Sequence, residues 1–256
     1  MNTEQNTEQN AEKPLLQVKN LHKSFGDKII HSGISFDLRK NEILGLFGGS
    51  GSGKSLILRS LIGLEQPDQG EIIFEGVDLT KLKERELFKV RTHMSYVFQN
   101  GALFDSLTLE ENLAYPLIAH TKLSKDAIRA KVNETLELID MKNSNALLPS
   151  ELSGGMQKRA GFARAIILQP KVVLFDEPTA GLDPVNTGRL LTNIMAFKKL
   201  GMTGVFVTHD IPAAFEICDR IAILNEGKIA RMMTVQEMKN SEDPLVKSFT
   251  TGAHIK

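Results

Sequence analysis

The chain has 256 residues, enough for one large domain, or one domain with an inserted subdomain, around a sizeable core. Its 31 basic and 31 acidic side chains cancel to zero net charge, which argues against a nucleic-acid binder with its basic face. The single cysteine, Cys218, excludes an internal disulfide framework and fits a reducing compartment, and with neither a signal-peptide pattern nor an apolar run near the roughly 18 residues of a spanning helix the chain is expected to be soluble.

Residues 1–14 form a polar tail that repeats Asn-Thr-Glu-Gln and is expected to be disordered. From Leu15 onward, "LLQVKNLHKSF" and the alternating "IIHSGISFDL" read as strands, followed by the buried strand "EILGLF". A glycine-rich loop comes next, then the helix "KSLILRSLIGL", the strand "EIIFEG", the charged helix "KLKERELFKVR" and the strand "MSYVFQ". Between residues 100 and 166 the pattern changes to helices and loops. There, "SKDAIRAKVNETLELID" places Ile128, Val132, Leu136 and Ile139 on one stripe, with Ser124 as N-cap. The strands "KVVLFDE", "TGVFVTH" and "RIAILNEGKIA" then alternate with helical segments, and residues 234–256 read as a helical tail with a loose end. The pattern predicts an α/β core over 15–99 and 167–233 with a helical subdomain inserted at 100–166.

The chemistry begins at "GGSGSGKS", residues Gly48, Gly49, Ser50, Gly51, Ser52, Gly53, Lys54 and Ser55, which fits G-x-x-x-x-G-K-[S/T] between a strand and a helix. Such a loop surrounds phosphates with N–H groups, Lys54 adds a positive charge at the β- and γ-phosphates, and Ser55 offers a hydroxyl to Mg²⁺. The motif alone would arise by chance in about one chain in a hundred of this length; the strand–loop–helix setting makes chance a poor account. "VVLFDE" then sets Asp176 and Glu177 at the end of a buried strand, Asp176 as a ligand for Mg²⁺ and Glu177 as the group that polarises the attacking water. Alone, that pair could be a strand ending in solvent. His209 likewise ends a strand. No histidine pair has zinc spacing, so His209 reads either as structural or as a γ-phosphate contact. Gln99 ends "YVFQ" and says little by itself.

"LSGGMQK" is a second anion-ready helix start, with Ser153 as N-cap and Gly154 and Gly155 leaving the backbone approachable. In order, Phe25, the phosphate loop, Gln99, "LSGGM", "VVLFDE", Asp183 in "AGLDP" and His209 resemble the ATP-binding cassette (ABC) ATPases from Leu15 to about Thr234. The resemblance implies that Phe25 stacks on adenine and that Gln99 joins Ser55 and Asp176 at Mg²⁺. It implies a P-loop ATPase α/β core with an N-terminal antiparallel β subdomain and an inserted α-helical subdomain, and ATP held between two copies, the loop of one facing Ser153 of the other. It also implies two departures: Met156 stands where a glutamine is usual, and Leu56, though in the phosphate loop, replaces a second hydroxyl.

A single cassette with no long insertion looks like a transporter subunit. "FQNGALFDSLTLEENLAYPL", "LLPSELSGGMQKRAGFARAI" and "DPLVKSF" resemble the Mla-type (maintenance of lipid asymmetry) ATPases and their Mce-type relatives. These move phospholipids between bacterial inner and outer membranes. The likeness implies a peripheral protein on the cytoplasmic side of the inner membrane, working with a permease dimer, an Mce-domain protein and a small STAS-domain protein. An importer of polar solutes, a lipoprotein exporter ATPase, and a non-transport ABC ATPase acting on ribosomes or nucleic acid remain as alternatives.

Overall fold

The computed structural model describes residues 13–251; the polar repeat up to residue 12 and the end of the tail lie outside the described residues. Its centre is a six-stranded sheet built from β3 (Ile43–Gly48), β6 (Met94–Val97), β7 (Val172–Asp176), β8 (Thr203–Val207), β9 (Arg220–Asn225) and β10 (Lys228–Thr234). Their order is β10-β9-β3-β8-β7-β6, parallel throughout except for the β9–β10 pair. A second, antiparallel sheet packs β2 (Lys28–Leu38), β1 (Leu16–Phe25), β4 (Gln69–Phe74) and the short β5 (Val77–Asp78).

Parallel strands covered on both faces should be apolar at every position, and β3 shows why. Leu44 and Leu46 face the antiparallel sheet and helix α1 (Lys54–Leu61) together with Leu174, Val205 and Ala222. Ile43 and Phe47 face the other way, into a core shared with α5 (Gly154–Ile166) and α6 (Pro184–Lys199). Each such side chain contributes about 1.5–3 kcal/mol by leaving water. The intervening Gly45 leaves room for Cys218, whose Sγ would lie 3.0 Å from a Cβ there.

The helices between β6 and β7 are α3 (Leu109–His120), α4 (Lys125–Leu138) and α5. The Ser124 hydroxyl accepts from the Ala127 amide, and Val132, Leu136 and Ile139 are buried with Ile128 at their margin. Asn112, fully buried on α3, organises the loop before it. Its amide donates to the carbonyls of Phe104, Leu107 and Thr108, and its Oδ1 accepts from the Phe104 amide at 2.8 Å.

Two readings of the sequence change. "RIAILNEGKIA" is a hairpin rather than one strand, because Glu226 (φ 48) and Gly227 (φ 72) both turn left-handed, the signature of a tight two-residue turn. "KLKERELFKVR" is helical only from α2 (Glu84–Val90), since its first residue, Lys81, closes a 3₁₀ turn at Leu79–Lys81 capped by Asp78. After β10 the tail forms α8 (Val235–Lys239) and α9 (Pro244–Thr251), while α7 (Ile211–Ile217) joins β8 to β9.

Candidate active site

The loop after β3 owes its shape to glycine. Gly51 (φ 73) and Gly53 (φ 92) are left-handed, where a Cβ would be strained. Gly48 has no room for one, since Ser52 Oγ and the Leu224 carbonyl would lie 2.7 and 2.8 Å away. Gly53 stands at the N-cap of α1 with no side chain to occupy the first amides, so those donors face the loop's interior. Lys54 folds back over the loop and donates to the carbonyls of Gly48 (2.9 Å) and Gly49 (3.1 Å). Burial lowers its pKa, and Glu177 and Asp176 oppose that shift.

A cleft of about 550 Å³ opens above this loop, lined by Phe25, Gly48, Ser50 to Leu56, Glu177 and His209, together with Ile30, Arg59 and Glu65. Phe25 is half-exposed at its edge, with Lys23 Nζ 5.1 Å from the ring centroid. Gly49 lies within the loop, where its carbonyl accepts from Lys54, and does not line the cleft.

At the inner end, Ser55 Oγ donates to Asp176 Oδ1 at 2.7 Å. A hydroxyl and a carboxylate in contact form the hard-oxygen set that suits Mg²⁺, so the residues present fit that ion. Tyr96 adds a bond that the sequence reading missed: its hydroxyl donates to Asp176 Oδ2 at 2.7 Å. Burial first, and then Asp176, push the Tyr96 phenol above its ordinary range, so it stays a donor. The clue was its place in "YVFQ", three residues before Gln99.

Glu177 turns left-handed directly after β7 (φ 49), an unusual conformation for a side chain of this size. The cost is of order 1–3 kcal/mol, and the bond from its amide to the Val207 carbonyl (2.9 Å) helps to hold it. The turn aims the carboxylate at His209, whose Nδ1 lies 2.8 Å from Glu177 Oε2 and whose amide donates to the same oxygen at 3.3 Å. The two residues form one unit.

A second unforeseen residue is His31, fully buried on β2. Its Nε2–H donates to the Gly53 carbonyl at 3.1 Å, and its Nδ1 has no partner among the described residues. Burial holds this imidazole below its ordinary pKa. A Cβ on Gly53 would lie 2.5 Å from His31 Nε2, so the ring braces the loop from below.

The remaining expected residues do not line this cleft. Gln99 is exposed in the turn after β6. Ser153 caps α5 by accepting from the Met156 amide. Beside it, Gly154 is open, whereas Gly155 is required because a Cβ would meet Asn186 Oδ1 at 2.5 Å. Asp183 caps α6, accepting from the amides of Val185 and Asn186 at 2.9 and 3.0 Å, and these bonds hold its carboxyl below the usual range. Gln157 cannot stand in for the glutamine missing at Met156, because its amide is spent on the carbonyls of Pro149 (2.8 Å) and Leu152 (3.3 Å). Met156 itself packs against the core.

A phosphate loop, a carboxylate pair at the ends of parallel strands and a helical insertion carrying a second capped helix start define a P-loop nucleotide-binding cassette. The model of the ABC transporter family matches residues 31–180. The chain belongs to this family and is an ABC transporter ATPase, which binds and hydrolyses ATP. It is 38% identical over 239 residues to the intermembrane phospholipid transport system ATP-binding protein MlaF of Haemophilus influenzae, covering 93% of this chain and 90% of that one. It is 39% identical over 241 residues to the probable ribonucleotide transport ATP-binding protein mkl of Mycobacterium leprae, covering 94% and 70%. Among solved structures, cbiO1 from Clostridium perfringens, part of the ABC transporter complex cbiONQ, superposes with a TM-score of 0.82 at 27% identity, over 93% of this chain and 95% of that one. The ATP-binding cassette MJ0796, solved as a dimer bound to ADP and Pi, gives 0.79 at 30% identity, over 86% and 98%.

Proposed function

We propose that this ATPase drives phospholipid movement between the inner and outer membranes of a bacterium, as the peripheral subunit on the cytoplasmic side of an inner-membrane permease dimer. The observation that carries the reading is the likeness to MlaF, which runs nearly end to end in both chains. Among the described residues no helix is long and apolar enough to cross a membrane, so the membrane path belongs to partners. An Mce-domain protein and a small STAS-domain protein complete the proposed assembly, and nucleic acid has no part in it.

In this reading the division of the chain is 15–99 and 167–233 for the nucleotide core, 100–166 for the helical subdomain and 234–256 for the tail. Two copies enclose two ATP. The loop amides and Lys54 of one copy bind the phosphates, Phe25 stacks on adenine, and Ser55 and Asp176, with Gln99, hold Mg²⁺. That ion would neutralise charge that develops on the phosphates. Glu177 orients and polarises water, and His209 steadies both Glu177 and the γ-phosphate. Ser153, Gly154, Gly155 and Asp183 serve the partner's ATP, which accounts for their distance from their own cleft.

The permease helix would dock where α2, α3 and the loop after β6 expose aromatic side chains. There Phe104 stands 5.2 Å from Tyr115, beneath Arg164 at 5.1 Å, and Phe88 stands 5.4 Å from His120. Leu103, next to Phe104, is half-buried and packs against the core.

A second reading, transport of a polar solute, is favoured by the 39% identity to mkl, against 38% to MlaF. Purifying the chain with its partners from membranes and identifying the bound subunits and lipid separates the two. An Mce-domain partner with phospholipid supports the proposal, and a polar-solute importer assembly without lipid would overturn it.

A further inference from the structure

Across the parallel β6–β7 pair, Tyr96 lies opposite Leu174. Side chains alternate faces along a strand, so Asp176, two residues beyond Leu174, falls on the face that Tyr96 occupies. The Tyr96 ring reaches toward the strand end and packs against Phe98, with centroids 4.3 Å apart. Phe98 is itself exposed, so the Tyr96 ring lies under a surface side chain while its hydroxyl meets the carboxylate.

Asp176 is thus held from two sides. Ser55, on α1, donates to Oδ1 at 2.7 Å, and Tyr96, on the edge strand of the sheet, donates to Oδ2 at 2.7 Å. An ionised carboxylate has about four lone-pair sites, so two donors set its plane and still leave acceptor capacity for a cation. Groups that orient a metal ligand from outside the coordination sphere are worth about 10–100-fold in metal affinity.

We infer that Tyr96 is a positioning residue of the cation site: its hydroxyl sets the plane of Asp176 so that a divalent ion bound with ATP meets a preoriented ligand. The inference rests on the proposed role of Asp176. If Tyr96 served only to fill space, its ring would suffice, since the ring already packs between Phe98 and the core, and losing the hydroxyl would leave cation binding as it was.

The test measures binding of a non-hydrolysable ATP analogue to the full chain across a series of free Mg²⁺ concentrations and again in EDTA. Tyr96→Phe, which removes the hydroxyl alone, should raise the Mg²⁺ concentration for half-maximal enhancement by about ten-fold, with affinity in EDTA within about two-fold of the parent. Mn²⁺ binding to the protein–analogue complex, read by electron paramagnetic resonance, should weaken in parallel. Tyr96→Met fills similar space without a donor and repeats the test should Tyr96→Phe fail to fold. Asp176→Asn serves as the reference and should abolish the enhancement. If Asp176→Asn does so while Tyr96→Phe and Tyr96→Met titrate like the parent, the Tyr96 inference is overturned and the metal assignment stands. If Asp176→Asn retains the parent's Mg²⁺ dependence, the metal assignment fails and the inference falls with it.

Discussion

Gly101 and Gly161 meet backbone to backbone: a Cβ on Gly161 would lie 2.5 Å from the Gly101 carbonyl oxygen and 2.6 Å from its Cα. Gly101 has no room either, since its own Cβ would stand 2.8 Å from the Gln157 carbonyl, and it turns left-handed at φ 70. The turn that carries Gln99 is therefore clamped onto the helix that Ser153 begins. Gly161→Ala should act by overpacking, at a cost of about 1–3 kcal/mol, because backbone atoms cannot rotate away as a side chain would. Thermal unfolding should show a lowered midpoint. A variant as stable as the parent would mean that the two segments separate freely.

His31 predicts a pH dependence. Burial holds its folded-state pKa below the ordinary 6.5 at which the unfolded chain titrates. Below that pH the unfolded chain binds a proton that the folded chain excludes, so the stability is present above about 6.5 and is lost as pH falls. Comparing unfolding free energies of the parent and His31→Leu between about pH 5 and 8 isolates the effect, because every other group is shared. The parent should lose up to about 1.4 kcal/mol more per pH unit on the acid side. Parallel curves would show that His31 titrates alike in the folded and unfolded chains and that burial does not depress it.

Most of the fold could be read from the chain. β3, β7 and β8 are continuous apolar runs because both their faces are covered, and the phosphate loop follows β3 directly. What escaped notice depends on contacts between distant segments. Tyr96 and Asp176 are 80 residues apart. The brace from His31 to Gly53 spans 22 residues, and nothing in "IIHSGISF" says that a ring on that strand will sit under the loop. The β9–β10 turn was a nearer miss, since Glu226–Gly227 is a weaker turn signal than Asn-Gly or Asp-Gly.

Phe104 is 44% exposed although it is large and aromatic, and Asn112 holds its backbone on both sides. A rigid loop that presents an apolar ring fits a docking surface better than a core. Phe104→Arg should leave the basal ATPase rate of the isolated subunit within about two-fold, because only backbone atoms of Phe104 bond Asn112 and the exposed ring contributes just its contacts with Tyr115 and Arg164. Stimulation by the reconstituted permease should fall. Equal stimulation of variant and parent would move the docking surface elsewhere.

Glu177 and Ser153 test the catalytic assignment and the two-copy arrangement together. A general base contributes about 10²–10⁴-fold in rate, and Glu177→Gln keeps the size and one acceptor while removing the proton-accepting charge. Hydrolysis should fall by that range while ATP still binds through the loop and Lys54. With ATP intact, paired copies should accumulate, measurable as an ATP-dependent dimer by light scattering or size-exclusion chromatography. Ser153 stands at the exposed start of α5, and replacing it removes only the cap bond to the Met156 amide. An exposed side chain has room to extend into solvent, so an arginine fits there in the monomer and collides only with a neighbour's triphosphate. Glu177→Gln combined with Ser153→Arg should therefore bind ATP with the affinity of Glu177→Gln and fail to dimerise. If the double variant dimerises as well as the single one, Ser153 does not face the partner's nucleotide, and the two-copy arrangement proposed for this chain is wrong.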